Sequence, residues 1–355
     1  MSTSSTTGRH EAPAEPGRPA TETFAEELRD AFAPRTLLLV VGVALLCLGF
    51  VLSYVGAFHA PTPHRIPVAL VAPAQVSGQL VDGLNGIDGE PLRARAVEDE
   101  AAARRLLERD EISGALLVDP AATEDTLLVA SGQGAAISTA VQRVLTAVED
   151  EQGRTLAVSD AVPHQSGDPQ GSSAFYVAVG AVLAGYLLAA VLGMAKGARP
   201  ATFRRTLWRL AATVPYALAV GLGIAIITGP VLGAITGHVG AVFAVATLLV
   251  LSAATVTMSF QVLFGIFGIA ATILVFVVVG NPSAGGAYPY PLLPGFWREI
   301  GPWLPNGAGV DALRSAVYFG GTGMAPALWV IVGWIAAGTV LTVLAARVIS
   351  RRATA

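Results

Sequence analysis

The chain has 355 residues with 53% hydrophobic, 13% charged and a formal net charge of −3, and its mean hydropathy is +0.61. A soluble domain of this length carries nearly twice that charge, so the composition excludes an ordinary soluble protein. Apolar residues fall in blocks of about 20, enough to cross ~30 Å of hydrocarbon as a helix. So small a net charge singles out no partner, and none of nucleic acid is expected.

Residues 1–21 are rich in Ser, Thr, Pro and Gly without apolar periodicity, and are expected to be a disordered cytoplasmic tail. Residues 22–34 follow as an amphipathic interface helix. Thr23 and Glu26 form a capping-box pattern, Phe24, Leu28 and Phe32 share one face, and Pro34 breaks it before the membrane. The first span, 36–57, is too long and too far from the N-terminus for a cleaved secretory segment, and reads as an uncleaved anchor. It contains Cys47, the only cysteine, so no disulfide can form within the chain.

Residues 58–172 hold 17 acidic and 8 basic residues and alternate strand with helix. "IPVALVAP", "LRARAV", "ISGALLVDP" and "TLLVAS" read as strands. Residues 74–84, "EDEAAARRLLERDE" and 134–151 read as helices. Such alternation predicts a small α/β domain, tied back to the membrane by a polar linker, "SDAVPHQSGDPQGSS". Five further spans are expected at 173–195, 207–228, 238–257, 259–280 and 326–347, before a basic tail, 348–355. No internal repeat divides them. The short loop "KGARPATFRRTLWR" and the tail carry the basic residues, including Phe203's neighbours Arg204, Arg205 and Arg209. By the positive-inside rule both termini are cytoplasmic and the α/β domain is extracytoplasmic.

Sites of chemistry are scarce. GxxxxGK[ST], GxSxG, HExxH and CxxC do not occur, and His10, His59, His64, His164 and His238 are scattered. Neither an enzyme nor a metal or cofactor site is expected. Asp and Glu are absent between Asp168 and Glu299 and again after Asp311. Ion-coupled exporters use an intramembrane carboxylate, so the energy for transport is expected from another polypeptide unless Glu299 or Asp311 dips inward.

Residues 281–325 are neither span nor solvated loop. Asn281-Pro282 ends the fifth span, Pro294 precedes "GFWREIGPW", and Pro305-Asn306-Gly307 breaks the chain again before "AGVDALRSAVYF". Trp297 and Trp303 suit a membrane interface. Two short helices between long spans predict a re-entrant hairpin, tolerated at membrane depth only where protein or a hydrated cavity covers it. The expected fold is thus a polytopic α-helical membrane protein of six transmembrane helices. It carries an α/β domain between spans 1 and 2 and a re-entrant hairpin between spans 5 and 6.

The stretch "NPSAGG…LPGFWREIGPWLPNGAGVDALRSAVYFGG" resembles the closing signature of the phage-infection-protein (YhgE/Pip) branch of type-2 ABC-transporter permeases. The layout of one span, an outer domain and five spans is similar as well, though this outer domain is much shorter. The resemblance implies an exporter's permease subunit; the apolar, Gly- and Ala-rich spans fit a hydrophobic or amphipathic substrate, and the Ala- and Arg-rich, Lys-poor composition fits a bacterial plasma membrane protein. It would form a homodimer, or a heterodimer with a paralogue, and ATP would be hydrolysed by a separate cytoplasmic P-loop ATPase. It implies an outer gate of Asn281, Pro282, Pro294, Trp297, Glu299, Trp303, Pro305, Asp311 and Arg314, with Arg314 ion-paired to Glu299 or Asp311. It also implies ATPase coupling through Phe24, Leu28, Phe203, Arg204, Arg205 and Arg209. A non-transporting scaffold or receptor and an ion-driven exporter are the alternatives.

Overall fold

The computed structural model describes residues 33–199 and 202–352; the expected tail and the interface helix with Phe24 and Leu28, up to residue 32, lie outside the described residues. The described residues divide into two units, with the boundary between Leu45 and Leu46. Helix α1 (Pro34–Phe58) starts on Pro34, where a missing N–H costs nothing. Its first half, up to Leu45, is the described part of the first unit.

The α/β domain contains β1 (Ile66–Val71), α2 (Ala74–Asn85), β2 (Leu92–Ala96), α3 (Glu100–Glu108), β3 (Gly114–Leu117), β4 (Glu124–Val129), α4 (Ala135–Glu151) and β5 (Thr155–Asp160). The sheet order is β2-β1-β3-β4-β5, parallel except for the β3–β4 pair. β1 is buried on both faces, as its unbroken apolar run requires. Ile66, Val68 and Leu70 pack with Leu84 of α2 and Val141 and Leu145 of α4. Ala69 packs on the other side with Ala103 and Leu107 of α3. Asp99 caps α3 by accepting from the Ala102 N–H at 2.7 Å.

Two features of this domain depart from expectation. "TLAVSD" forms β5, an edge strand whose exposed, mixed residues give no clean alternation. The linker is also pinned rather than loose. Gln165 accepts from the Thr236 N–H at 2.6 Å and donates to its carbonyl at 3.1 Å. Asp168 accepts from the Ser172 and Ser173 N–H groups at 3.0 Å, opening the next helix.

At the start of β5, Arg154 grips Asp125 with two hydrogen bonds, Nε at 2.7 Å and Nη2 at 2.5 Å, and lies 3.6 Å from Glu149. Burial works to raise both carboxyls. For Asp125, hydrogen bonds from Arg154 and the Asp119 N–H outweigh it and hold the group below its usual range. Glu149 lacks those donors; burial first, and then the Asp125 charge, push it up to about 7.

Among the described residues, five helices are long and apolar enough to cross a membrane: α1, α5 (Ser173–Lys196), α6 (Phe203–Ile226), α7 (Val239–Phe264) and α11 (Met324–Arg352). The expected division of 238–280 into two full spans is not seen. α7 continues to Phe264, the chain turns at Gly265 with φ +62°, and 14 residues, Phe267–Gly280, remain apolar and helical. They comprise α8 (Phe267–Ile273) and a π-helical stretch, Leu274–Gly280. At 1.5 Å per residue they cover about 21 Å, less than the hydrocarbon core. Hydropathy averages over a one-glycine turn and so cannot place it. α11 runs to Arg352, past the expected end at 347.

α7 is the centre of the bundle, packed by α5, α6 and α11. Small residues permit this approach: Gly185 faces Val250, Gly221 faces Thr247 and Gly338 faces Thr255. Gln261, buried in α7, donates to the Ala189 carbonyl of α5 at 3.1 Å.

Candidate functional site

Between α8 and α11 the chain forms α9 (Gly295–Ile300) and α10 (Pro305–Tyr318), each begun at a proline turn. Pro305 is the first residue of α10 rather than a break before it, because its fixed φ suits a first turn. Pro282 is buried and Pro294 half-buried. α10 packs on α5, α7 and α11, and Val310 and Leu313 are fully buried. Glycines before and within it allow close passage: a Cβ on Gly301 would collide with the Ser283 carbonyl, and one on Gly307 with the Gly301 carbonyl.

Buried polar groups lock this segment. Asn306, with no exposed surface, donates through Nδ2 to Asn281 Oδ1 at 2.7 Å and to the Phe276 carbonyl at 3.1 Å. These bonds take up backbone and side-chain acceptors freed where the helix after α8 ends. Arg314 donates to the Gly285 carbonyl at 2.7 Å and the Gly286 carbonyl at 3.0 Å. It makes neither expected ion pair. Asp311 instead accepts from the Tyr290 hydroxyl at 2.9 Å. Glu299 lies 3.4 Å from Arg298 with its side chain 80% exposed, away from Arg314's bonds.

The same segment ties other parts of the second unit together. Trp297 donates to Ser53 Oγ of α1 at 3.0 Å, and its ring lies against Gly56. Trp334 of α11 donates to the Trp303 carbonyl at 2.8 Å, while the Trp303 ring is exposed. Leu292 and Tyr288 join one core of the α/β domain, and Phe319 and Tyr318 join the other. Asp110 and Gln133 of that domain, with Tyr290, Asp311 and Arg314, line a cavity of about 360 Å³. Asp110 is exposed as a residue, but its carboxyl faces this cavity. Desolvation pushes it up to about 6, against the Gln133 hydrogen bond and the Arg314 charge, which pull it down.

At the other end of α5, the turn to α6 is built differently. Thr202 caps α6 by accepting from the Arg205 N–H at 3.3 Å. Arg209 donates to the Gly197 carbonyl at 3.0 Å, and Arg347 of α11 stacks 5.0 Å over the Phe203 ring. Arg204, Arg205 and Trp208 are exposed.

Of the residues singled out from sequence, the structure brings together Asn281 with the bend at Pro305, and Asp311 with Arg314 around one cavity. Glu299 stays apart. Tyr290, Asn306 and Ser53 were not picked out. Asn306 carried a usable signal, as a lone amide directly after a proline turn in an apolar stretch, whereas Ser53 carried none.

A bundle of long apolar helices with an inserted α/β domain defines a multi-pass membrane protein, and the chain carries no GxxxxGK[ST], GxSxG, HExxH or CxxC motif. A family model described as ABC-2 family transporter protein matches residues 34–347, and the chain belongs to that family. Searches of the curated proteins and of the solved structures give no match. Among the described residues no group of three or more His, Cys, Asp or Glu is placed to hold a metal ion.

Proposed function

We propose that this chain is the membrane subunit of an ATP-driven exporter, in which residues 281–325 are a re-entrant hairpin closing the outward end of the translocation path. The α/β domain lies outside the cell in this reading and both termini lie in the cytoplasm. The carrying observation is the locked segment itself: Asn306 and Arg314 bind its turns while Trp297 bonds it to α1. An element joined to a span and to the outer domain moves when either does. The phage-infection-protein branch is supported by the closing signature, and family membership supports transport in general.

Energy comes from a separate P-loop ATPase, since the chain has no GxxxxGK[ST] and its long spans hold no Asp or Glu. Phe203, Arg204, Arg205 and Arg209 form the docking turn for that subunit, with Phe24 and Leu28 contributing from the preceding segment. The permease pairs with a second copy or a paralogue about a two-fold axis.

A reducible cross-link tests the gate. In a Cys47→Ser background, Ser53→Cys with Trp297→Cys is bridged by a bifunctional methanethiosulfonate reagent, which spans the gap left by the indole, in membranes containing the chain and its co-expressed ATPase. ATP-dependent export should stop on cross-linking and return on reduction. Export unaffected by a complete cross-link would make the segment a passive cap. Export indifferent to ATP would remove the ATPase from the reading altogether.

A further inference from the structure

Two cavities of opposite character meet at α10. The polar one, described above, is bounded by Asp110, Gln133, Tyr290, Asp311 and Arg314. The other, of about 740 Å³, is almost wholly apolar and is lined by Trp303, Trp329, Trp334, Pro326 and Val330. Asp311 and Gly323 border both. Trp303 and Trp329 are 70% and 74% exposed, so the apolar groove opens on the bundle's surface, where lipid chains lie.

The polar cavity holds unused hydrogen-bonding capacity of both signs. Arg314 is only 7% exposed, yet its Nε–H has no acceptor. Asp110 is bonded through Oδ1 to Gln133, at 2.6 Å, and Asp311 through Oδ2 to Tyr290. The second oxygen of each carboxylate accepts from no protein donor among the described residues. An ammonium group satisfies those oxygens, and a phosphate oxygen satisfies the Arg314 Nε–H. A purely anionic head would face two carboxylates, and a purely cationic one would leave the buried Nε–H unpaired.

We propose that this pair of cavities binds a zwitterionic phospholipid bearing a primary amine. Its ammonium sits at Asp110 and Asp311, its phosphate at Arg314, and its acyl chain in the tryptophan groove. This names a substrate class for the exporter and rests on residues 281–325 being the substrate-handling segment.

The full chain, in nanodiscs of phosphatidylcholine, is titrated with phosphatidylethanolamine carrying brominated acyl chains. Tryptophan fluorescence is read, since three of the five tryptophans line the groove. Brominated phosphatidylglycerol and phosphatidylcholine serve as head-group controls. Expected is saturable quenching by phosphatidylethanolamine at a mole fraction where the controls quench weakly, with half-saturation raised at least about tenfold by Asp110→Asn. Asn at this position keeps an acceptor for Gln133 and suits the left-handed backbone there (φ +61°), so circular dichroism of that variant should match the parent. Asp311→Asn, which keeps an acceptor for Tyr290, should weaken the same preference. Equal quenching by all three head groups, a preference for phosphatidylglycerol, or a preference that survives both variants overturns the proposal. No ATP or ATPase is present, so failure here beside a working Ser53–Trp297 cross-link removes the lipid and leaves the exporter reading. A preserved head-group preference with a cross-link that does nothing shows the reverse.

Discussion

At the α/β end of the bundle, Asn306 and Arg314 are buried and direct their donors to the turns they hold. At the opposite end, Arg204 and Arg205 stand exposed, and Arg209 and Arg347 make single contacts with the turn. The two ends contain similar residue types. Burial sets what those residues do. A desolvated donor selects the one conformation that supplies an acceptor, whereas an exposed guanidinium is served by water and remains open to a partner.

Arg314→Met tests that contrast most severely. It leaves the Gly285 and Gly286 carbonyls without their charged donor, and should cost about 3 kcal/mol or more in thermal unfolding of the solubilised chain. Gly301→Ala comes next, at about 1–3 kcal/mol, because the new methyl meets the Ser283 backbone rather than a side chain that can swing away. If either protein melts like the parent, these contacts do not lock the segment between α8 and α11.

Trp297→Phe removes the hydrogen bond to Ser53 and the outer indole ring that lies against Gly56, for about 1–2 kcal/mol. It should impair ATP-driven export more than stability, and an unimpaired exporter would detach the α1 contact from gating.

The α/β domain supplies a pH test. Glu149 has a folded value of about 7 against an ordinary 4.5, so the folded state holds more protons between those values. Stability therefore falls as pH rises from about 4.5 to 7, then levels off. Asp125, held below its usual range, acts oppositely, losing its contribution as pH falls below about 4. Hydrogen exchange of α4 and β5 peptides in the full chain should speed up from pH 5 to 7.5, after correction for intrinsic rates. Glu149→Gln should flatten that dependence.

The smallest effect on stability is expected at the exposed end. Arg204→Ala and Arg205→Ala should change it by no more than about 0.5 kcal/mol, yet abolish ATP hydrolysis coupled to the permease. Intact coupling in the double variant would leave those arginines only as markers of orientation.

The long spans were legible because each is a run of apolar residues with few charges, a local property that hydropathy measures directly. The α/β domain was legible for the same reason, except for β5, whose edge position frees it from clean alternation. The end of α7 was hidden because a single glycine turn does not lower the apolar average.

The candidate site divides in the same way. Composition located the segment from Asn281 onward, since its prolines forbid one continuous helix and its aromatics resist solvation. Which groups meet within it depended on packing. Arg314 has Asp311 three residues away in sequence, but carbonyls of a turn nearly thirty residues earlier accept its hydrogen bonds. Trp297 reaches a serine 244 positions away. Sequence alone determined that this is a membrane bundle with an inserted domain and a broken closing segment, because hydrophobicity and proline geometry act locally. Only the tertiary structure decided the partners of Asn306, Arg314 and Trp297, because a desolvated donor pairs with the acceptor folding brings within reach, whatever its place in the chain.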